Sequence, residues 1–105
     1  MRSFIPYFVT VLIASWTGLS QAANVEAGKA KFGALCVNCH GANGVSTAEA
    51  FPNLAGQKSG YVANALRAYR DKSRTAALMN AMAANLTDAE IEDLAAYLAS
   101  LKPCE

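Results

Sequence analysis

The chain breaks in two at Ala22, and the break limits what the rest can fold into. Residues 1–22 read MRSFIPYFVTVLIASWTGLSQA, with Arg2 as the only charge. Phe4 to Leu19 carries none, and its apolar centre runs from Phe8 to Ala14. Ser20-Gln21-Ala22 then puts small residues at the −3 and −1 positions of a cut after Ala22, the layout of a secretory signal peptide. The competing reading is an uncleaved membrane anchor. It is disfavoured because the apolar stretch, Phe4 to Leu19, falls short of the ~20 residues that a span needs. No Cys follows the apolar stretch, so no lipoprotein attachment site is expected. The expectation is a signal peptide over 1–22, one domain over 23–105, and no stable membrane insertion after cleavage.

An 83-residue domain has a thin core, and chains of this size commonly lean on a disulfide, a metal or a cofactor. Composition then sets the class. Ala supplies 20 of the 83 residues, and only eight are β-branched. Helices favour Ala and strands favour β-branched residues, so the domain is expected to be all-α. Eight Lys and Arg balance eight Asp and Glu after the cut. A formal charge of zero gives no electrostatic reason to expect nucleic-acid binding.

Helical pieces follow from local signals. Asn24 is a good N-cap with Glu26 in the first turn, and the helix it opens runs to about Leu35. A short turn covers Cys36 to His40. Gly41 to Gln57 holds three Gly and one Pro and reads as loop. Ser59 to about Arg70 places Tyr61, Ala65, Leu66 and Tyr69 along one side of a helix. Asp71 to Leu86 reads as a linker carrying two Met. Thr87-Asp88-Ala89-Glu90 is a capping box, followed by Ile91, Leu94, Ala95, Leu98 and Leu101 at helical spacing, and Pro103 closes the element.

Cys36-Val37-Asn38-Cys39-His40 carries the chemistry. CxxCH is the attachment sequence of haem c. Two Cys three positions apart lie on one side of a helical turn, where both thiols reach the vinyl groups on one haem edge. The next residue, His40, then offers an imidazole to the iron. A redox dithiol belongs in a βαβ setting that this chain lacks. A zinc site would need four ligands from Cys36, Cys39, His40 and Cys104, with Cys39 and His40 an awkward chelating pair. A plain disulfide leaves His40 unexplained. The leader agrees with the haem reading, because haem c is attached outside the bacterial cytoplasm, which makes the expected location periplasmic. His40 is the only His, so a second protein ligand must be of another type, and a thioether raises the reduction potential. Met79 and Met82, at i, i+3 spacing, are the candidates. One of them is expected to be the ligand and the other core filler.

The chain resembles the class I cytochromes c, and more specifically the bacterial cytochrome c4 and c553 group. The resemblance covers nearly all of 23–101. It rests on CVNCHGANGVS (36–46), FPNLAGQ (51–57), a Tyr-initiated helix ending near Arg74, the pattern of Met79, Ala83 and Leu86, and LTDAEIEDLAAYLASL (86–101). It implies a small cytochrome c fold, with N- and C-terminal helices crossing and a third helix and loops covering the haem. It implies covalent attachment at Cys36 and Cys39, His40 as proximal ligand and Met79 as distal ligand. It implies that the Pro52 carbonyl accepts a hydrogen bond from the His40 ring. Gly28 and Phe32 match positions that cross the C-terminal helix near Leu94 and Tyr97. Arg74 matches an Arg that often contacts a haem propionate, against the plainer reading of a solvated Arg.

The chain also departs from the group. Cytochrome c4 carries two haem domains and this chain has one CxxCH, so a monohaem relative is expected. Ala65 replaces a common Gln, and Lys72 stands where a Gly is often found. Two readings of Cys104 stand: a tolerated terminal Cys, or a disulfide to a second copy or a partner. The function expected is single-electron transfer between redox partner proteins. The alternative is the haem subunit of a flavocytochrome-type sulfide dehydrogenase, which shares the Arg74-to-Met79 spacing. A ligand-binding haem protein would need the distal position open, and the Met is expected to fill it.

Overall fold

The computed structural model describes residues 6, 9–15 and 22–103. Gln21, beside the expected cut, and Cys104, with both of its readings, lie outside the described residues. Residues 9–15 form no helix or strand, and Val9, Val11, Leu12 and Ile13 are 73–92% exposed. No helix among the described residues is long and apolar enough to cross a membrane.

Five helices and no strands make up the described domain: α1 (Val25–Leu35), α2 (Val37–His40), α3 (Ser59–Arg70), α4 (Ala77–Ala83) and α5 (Asp88–Ser100). The expected all-α class holds. The Asn24 side chain accepts the Ala27 N–H and opens α1 where the cap signal placed it. Both halves of the Thr87–Glu90 capping box form and open α5. Each such cap contributes about 1 kcal/mol.

The crossing of α1 and α5 is the centre of the fold. Gly28 in α1 lies against the Asp93 backbone and Tyr97, and the Phe32 and Tyr97 rings meet at 5.5 Å between centroids. The Asn24 N–H donates to the Asp93 carboxylate at 2.8 Å, and Lys31 pairs with Glu90. Phe32, Ile91 and Leu94 are the largest fully buried side chains, each contributing roughly 2 kcal/mol by burial. α3 packs on α5 through Val62 and Ala63. Arg67 pairs with Glu92, and Arg70 reaches both the Asp88 carboxylate and the Leu86 carbonyl oxygen.

One expectation needs correction. The stretch 71–86 is not all linker, because α4 occupies Ala77–Ala83. It has no side-chain cap on its N-cap residue and only seven residues, too few to signal itself by periodicity. On α3, Val62 and Ala63 form the face buried in the core, and the stripe from Tyr61 to Tyr69 lies beside it. Tyr61 is 54% exposed. Leu66 and Tyr69 only flank the core, because that stripe turns toward α4 and the segment before it.

Candidate haem site

The end of α1 delivers the CxxCH sequence. The Cys36 N–H still bonds back to Phe32, and the Cys36 carbonyl then accepts from His40 at 3.0 Å, turning the chain into α2. Gly41 ends that turn at φ +84°, donating to Val37. A Cβ there would lie 2.0 Å from the Val45 carbonyl oxygen, so only Gly permits the return of the loop.

That loop carries Pro52 to His40. The Gly44 carbonyl accepts from Leu54 at 2.7 Å and Ala55 at 3.0 Å, and the Ser46 N–H donates to Asn53 Oδ1 at 2.7 Å. The folded loop sets the Pro52 carbonyl 2.8 Å from His40 Nδ1. A carbonyl can only accept, so Nδ1 carries the proton and the lone pair of the neutral ring lies on Nε2. No protein hydrogen bond engages Nε2 among the described residues. His40 is 6% exposed, and the Phe51 ring stands edge-on to it at 6.3 Å. The imidazole is therefore fixed in tautomer and in orientation, as a metal-ligating His requires.

Beside Cys36 lies an apolar cleft lined by Leu35, Cys36, Leu66, Ala83, Leu86 and Leu94 together with Met79 and Met82. Both Met residues project from α4, as their i, i+3 spacing requires. Met79 is half-buried and Met82 is 46% exposed. Burial, and then the neighbouring Cys39 thiol, push the Cys36 thiol up to about 11. Cys39 is exposed, and neither thiol is in a disulfide. Arg74 stands apart from the cleft lining. Its guanidinium lies 4.8 Å from the Tyr69 ring centre, and the Tyr61 hydroxyl and then Tyr69 hold its basicity above the ordinary value.

These residues fit a covalently held haem. They supply two free thiols one turn apart, an imidazole with Nε2 unspent, and an apolar cleft with thioethers in its lining. The cytochrome c family model matches residues 25–102.

The chain belongs to the cytochrome c family.

As a cytochrome c it carries covalently attached haem c, for which Cys36 and Cys39 supply the attachment motif, and it is an electron-transfer protein rather than an enzyme in itself. It is similar to cytochrome c-554(548) of Halomonas halodenitrificans, at 45% identity over 82 residues, which cover 75% of this chain and 98% of that one. It is similar to the thiosulfate dehydrogenase electron acceptor of Thiomonas intermedia, at 38% identity over 105 residues, covering 98% of this chain and 48% of the relative. The solved structure of Acidithiobacillus ferrooxidans cytochrome c4 superposes with a TM-score of 0.70 at 39% identity, over 81% of this chain and 53% of that one. The chain thus spans about half the length of the last two.

Sequence reading did not anticipate Phe51 at the imidazole edge, the two tyrosines around Arg74, or Asn80 behind Met79. An aromatic preceding Pro52 was the only visible hint of the first. The others depend on how 71–76 folds back onto α3.

Proposed function

We propose that this cytochrome c is an exported monohaem electron carrier with His40 and Met79 as its two axial ligands. The observation that carries the reading is the Nδ1–H of His40 donating to the Pro52 carbonyl, which leaves Nε2 for the iron. When bound, the haem supplies a one-electron couple. Cys36 and Cys39 hold the group covalently, and the apolar cleft excludes water from it. Met79 is favoured over Met82 by its match to the family position and its lower exposure. Two filled axial positions leave no open site for a substrate and suit outer-sphere transfer. The leader sequence supports cleavage after Ala22 and a periplasmic location. The near-neutral domain supports weak encounters over a small, mostly apolar patch rather than long-range steering.

Replacing each Met separately in the holoprotein tests the ligand choice. Met79→Leu is expected to abolish the thioether-to-Fe(III) absorption band and to open the reduced iron to carbon monoxide, while Met82→Leu leaves both unchanged. The reverse pattern overturns the assignment.

Similarity to a chain named as an electron acceptor of thiosulfate dehydrogenase favours a second reading of context, in which the electrons come from thiosulfate oxidation. The Arg74-to-Met79 spacing makes a sulfide-oxidising flavoprotein the other candidate donor. Purification from native periplasm separates the cases. A free carrier travels alone, and an enzyme subunit travels with its dehydrogenase and is reduced on addition of that enzyme's substrate.

A further inference from the structure

The helix that bears Met79 has little of its own to hold it. α4 has seven residues and no side-chain cap on its N-cap Ala76, and a helix that short does not sustain itself in water. The chain reaches it through a tight return. Lys72 takes φ +66°, Ser73 N–H donates to Asp71, and Arg74 N–H bonds back to Ala68 in α3 at 3.0 Å.

Asn80 closes this return. Its Oδ1 accepts the Ala76 N–H at 2.9 Å. Its Nδ2 donates to the Tyr69 carbonyl at 2.8 Å and to the Arg74 carbonyl at 2.9 Å. One amide therefore joins the last turn of α3, the return segment and the first turn of α4. Asn80 directly follows Met79 in the chain. Adjacent helical residues point about 100° apart, so one turn can present Met79 to the cleft and Asn80 to the strap behind it.

We infer that Asn80 is the positioning residue for the distal ligand, holding α4 against α3 so that the Met79 thioether stays over the cleft. The inference rests on the Met79 reading above. Its chemistry is specific to an amide. The substitution Asn80→Asp would keep an oxygen for the Ala76 N–H but lose both donors and turn an acceptor toward two carbonyl oxygens. The Met79-on state would weaken relative to the Met79-off state, while the α1–α5 core is untouched.

The test uses the holoprotein with Asn80→Asp, Asn80→Ala, Met79→Leu and the core variant Ile91→Val. Both Asn80 variants are expected to weaken the thioether-to-Fe(III) band, lower the reduction potential, and tighten carbon monoxide binding to the reduced form by at least about tenfold. Ile91→Val lowers overall stability and is expected to leave all three readouts in place. A band lost in Met79→Leu but intact in both Asn80 variants overturns the inference and leaves the ligand assignment standing. A band retained in Met79→Leu overturns the ligand assignment and this inference with it. Equal loss of the band in Ile91→Val reduces Asn80 to general stability and overturns the positioning role.

Discussion

Gly28 in α1 and Asp93 in α5 leave no space for a side chain between them: a Cβ on Gly28 would lie 2.0 Å from the Asp93 carbonyl oxygen and 2.9 Å from the Tyr97 Cβ. Two backbones meet there, and neither neighbour is the flexible end of a long side chain. Gly28→Ala must push the two helices apart and loosen the Phe32–Tyr97 contact beside them. The expected cost is about 3 kcal/mol, seen as a fall of roughly 15 °C in Tm. Gly33, one and a half turns on, meets nothing within 4 Å. Gly33→Ala is expected to stabilise by about 0.5 kcal/mol, because it lies in the last turn of α1 without a neighbour for a Cβ to strike. Thermal unfolding of the two holoproteins checks the contrast, and similar shifts in the same direction would contradict it.

Lys72 offers a second backbone test. It is the only non-Gly residue at positive φ among the described residues, at +66°. A left-handed conformation costs an L-residue roughly 1–2 kcal/mol, and Gly returns part of that as chain entropy. Lys72→Gly should therefore raise stability by about 0.5–1 kcal/mol. Lys72→Ala should leave it within error, since Ala has the same Cβ. Urea midpoints of the three proteins separate backbone relief from loss of the charge.

The same residues show what the sequence made legible. α5 was readable because a capping box, an apolar period and a terminal Pro agree, and both hydrogen bonds of the box are present. The setting of His40 was readable because CxxCH and its loop are local motifs, and the Pro52–His40 bond forms at 2.8 Å. α4 was not readable. ALMNAMA has neither a cap nor enough length for a period, and Asn80, which ties it down, bonds to groups up to 11 residues away. Which face of α3 meets the core was not readable for a related reason. Apolar spacing shows that a face is apolar, but it does not tell a face turned to the core from one turned to the site. Val62 and Ala63 took the first role, while Leu66 lines the cleft and Tyr61 and Tyr69 flank Arg74.

Glu90 links the α5 cap to the α1 crossing, and that gives the fold a defined acid response. Lys31 from α1 hydrogen-bonds its carboxylate, and the Thr87 backbone N–H donates to it, so its pKa falls from 4.5 to about 2. A depressed folded-state pKa means that the unfolded chain takes up the proton first as pH drops. The contribution of Glu90 is therefore complete above about pH 4.5 and is lost progressively toward pH 2. Glu90→Gln keeps a capping-box acceptor but removes the charge that faces Lys31. Its stability should lie below wild type at pH 6, and the gap should close as pH falls from 4.5 to 2. Asp71 and Asp88, held low by Ser73 and by Arg70, titrate in both proteins and leave a common acid slope that cancels in the difference. Urea unfolding of wild type and Glu90→Gln at pH 6, 4 and 2.5 measures that difference directly. A gap that stays constant with pH would show that the Glu90 charge plays no part in joining α1 to α5.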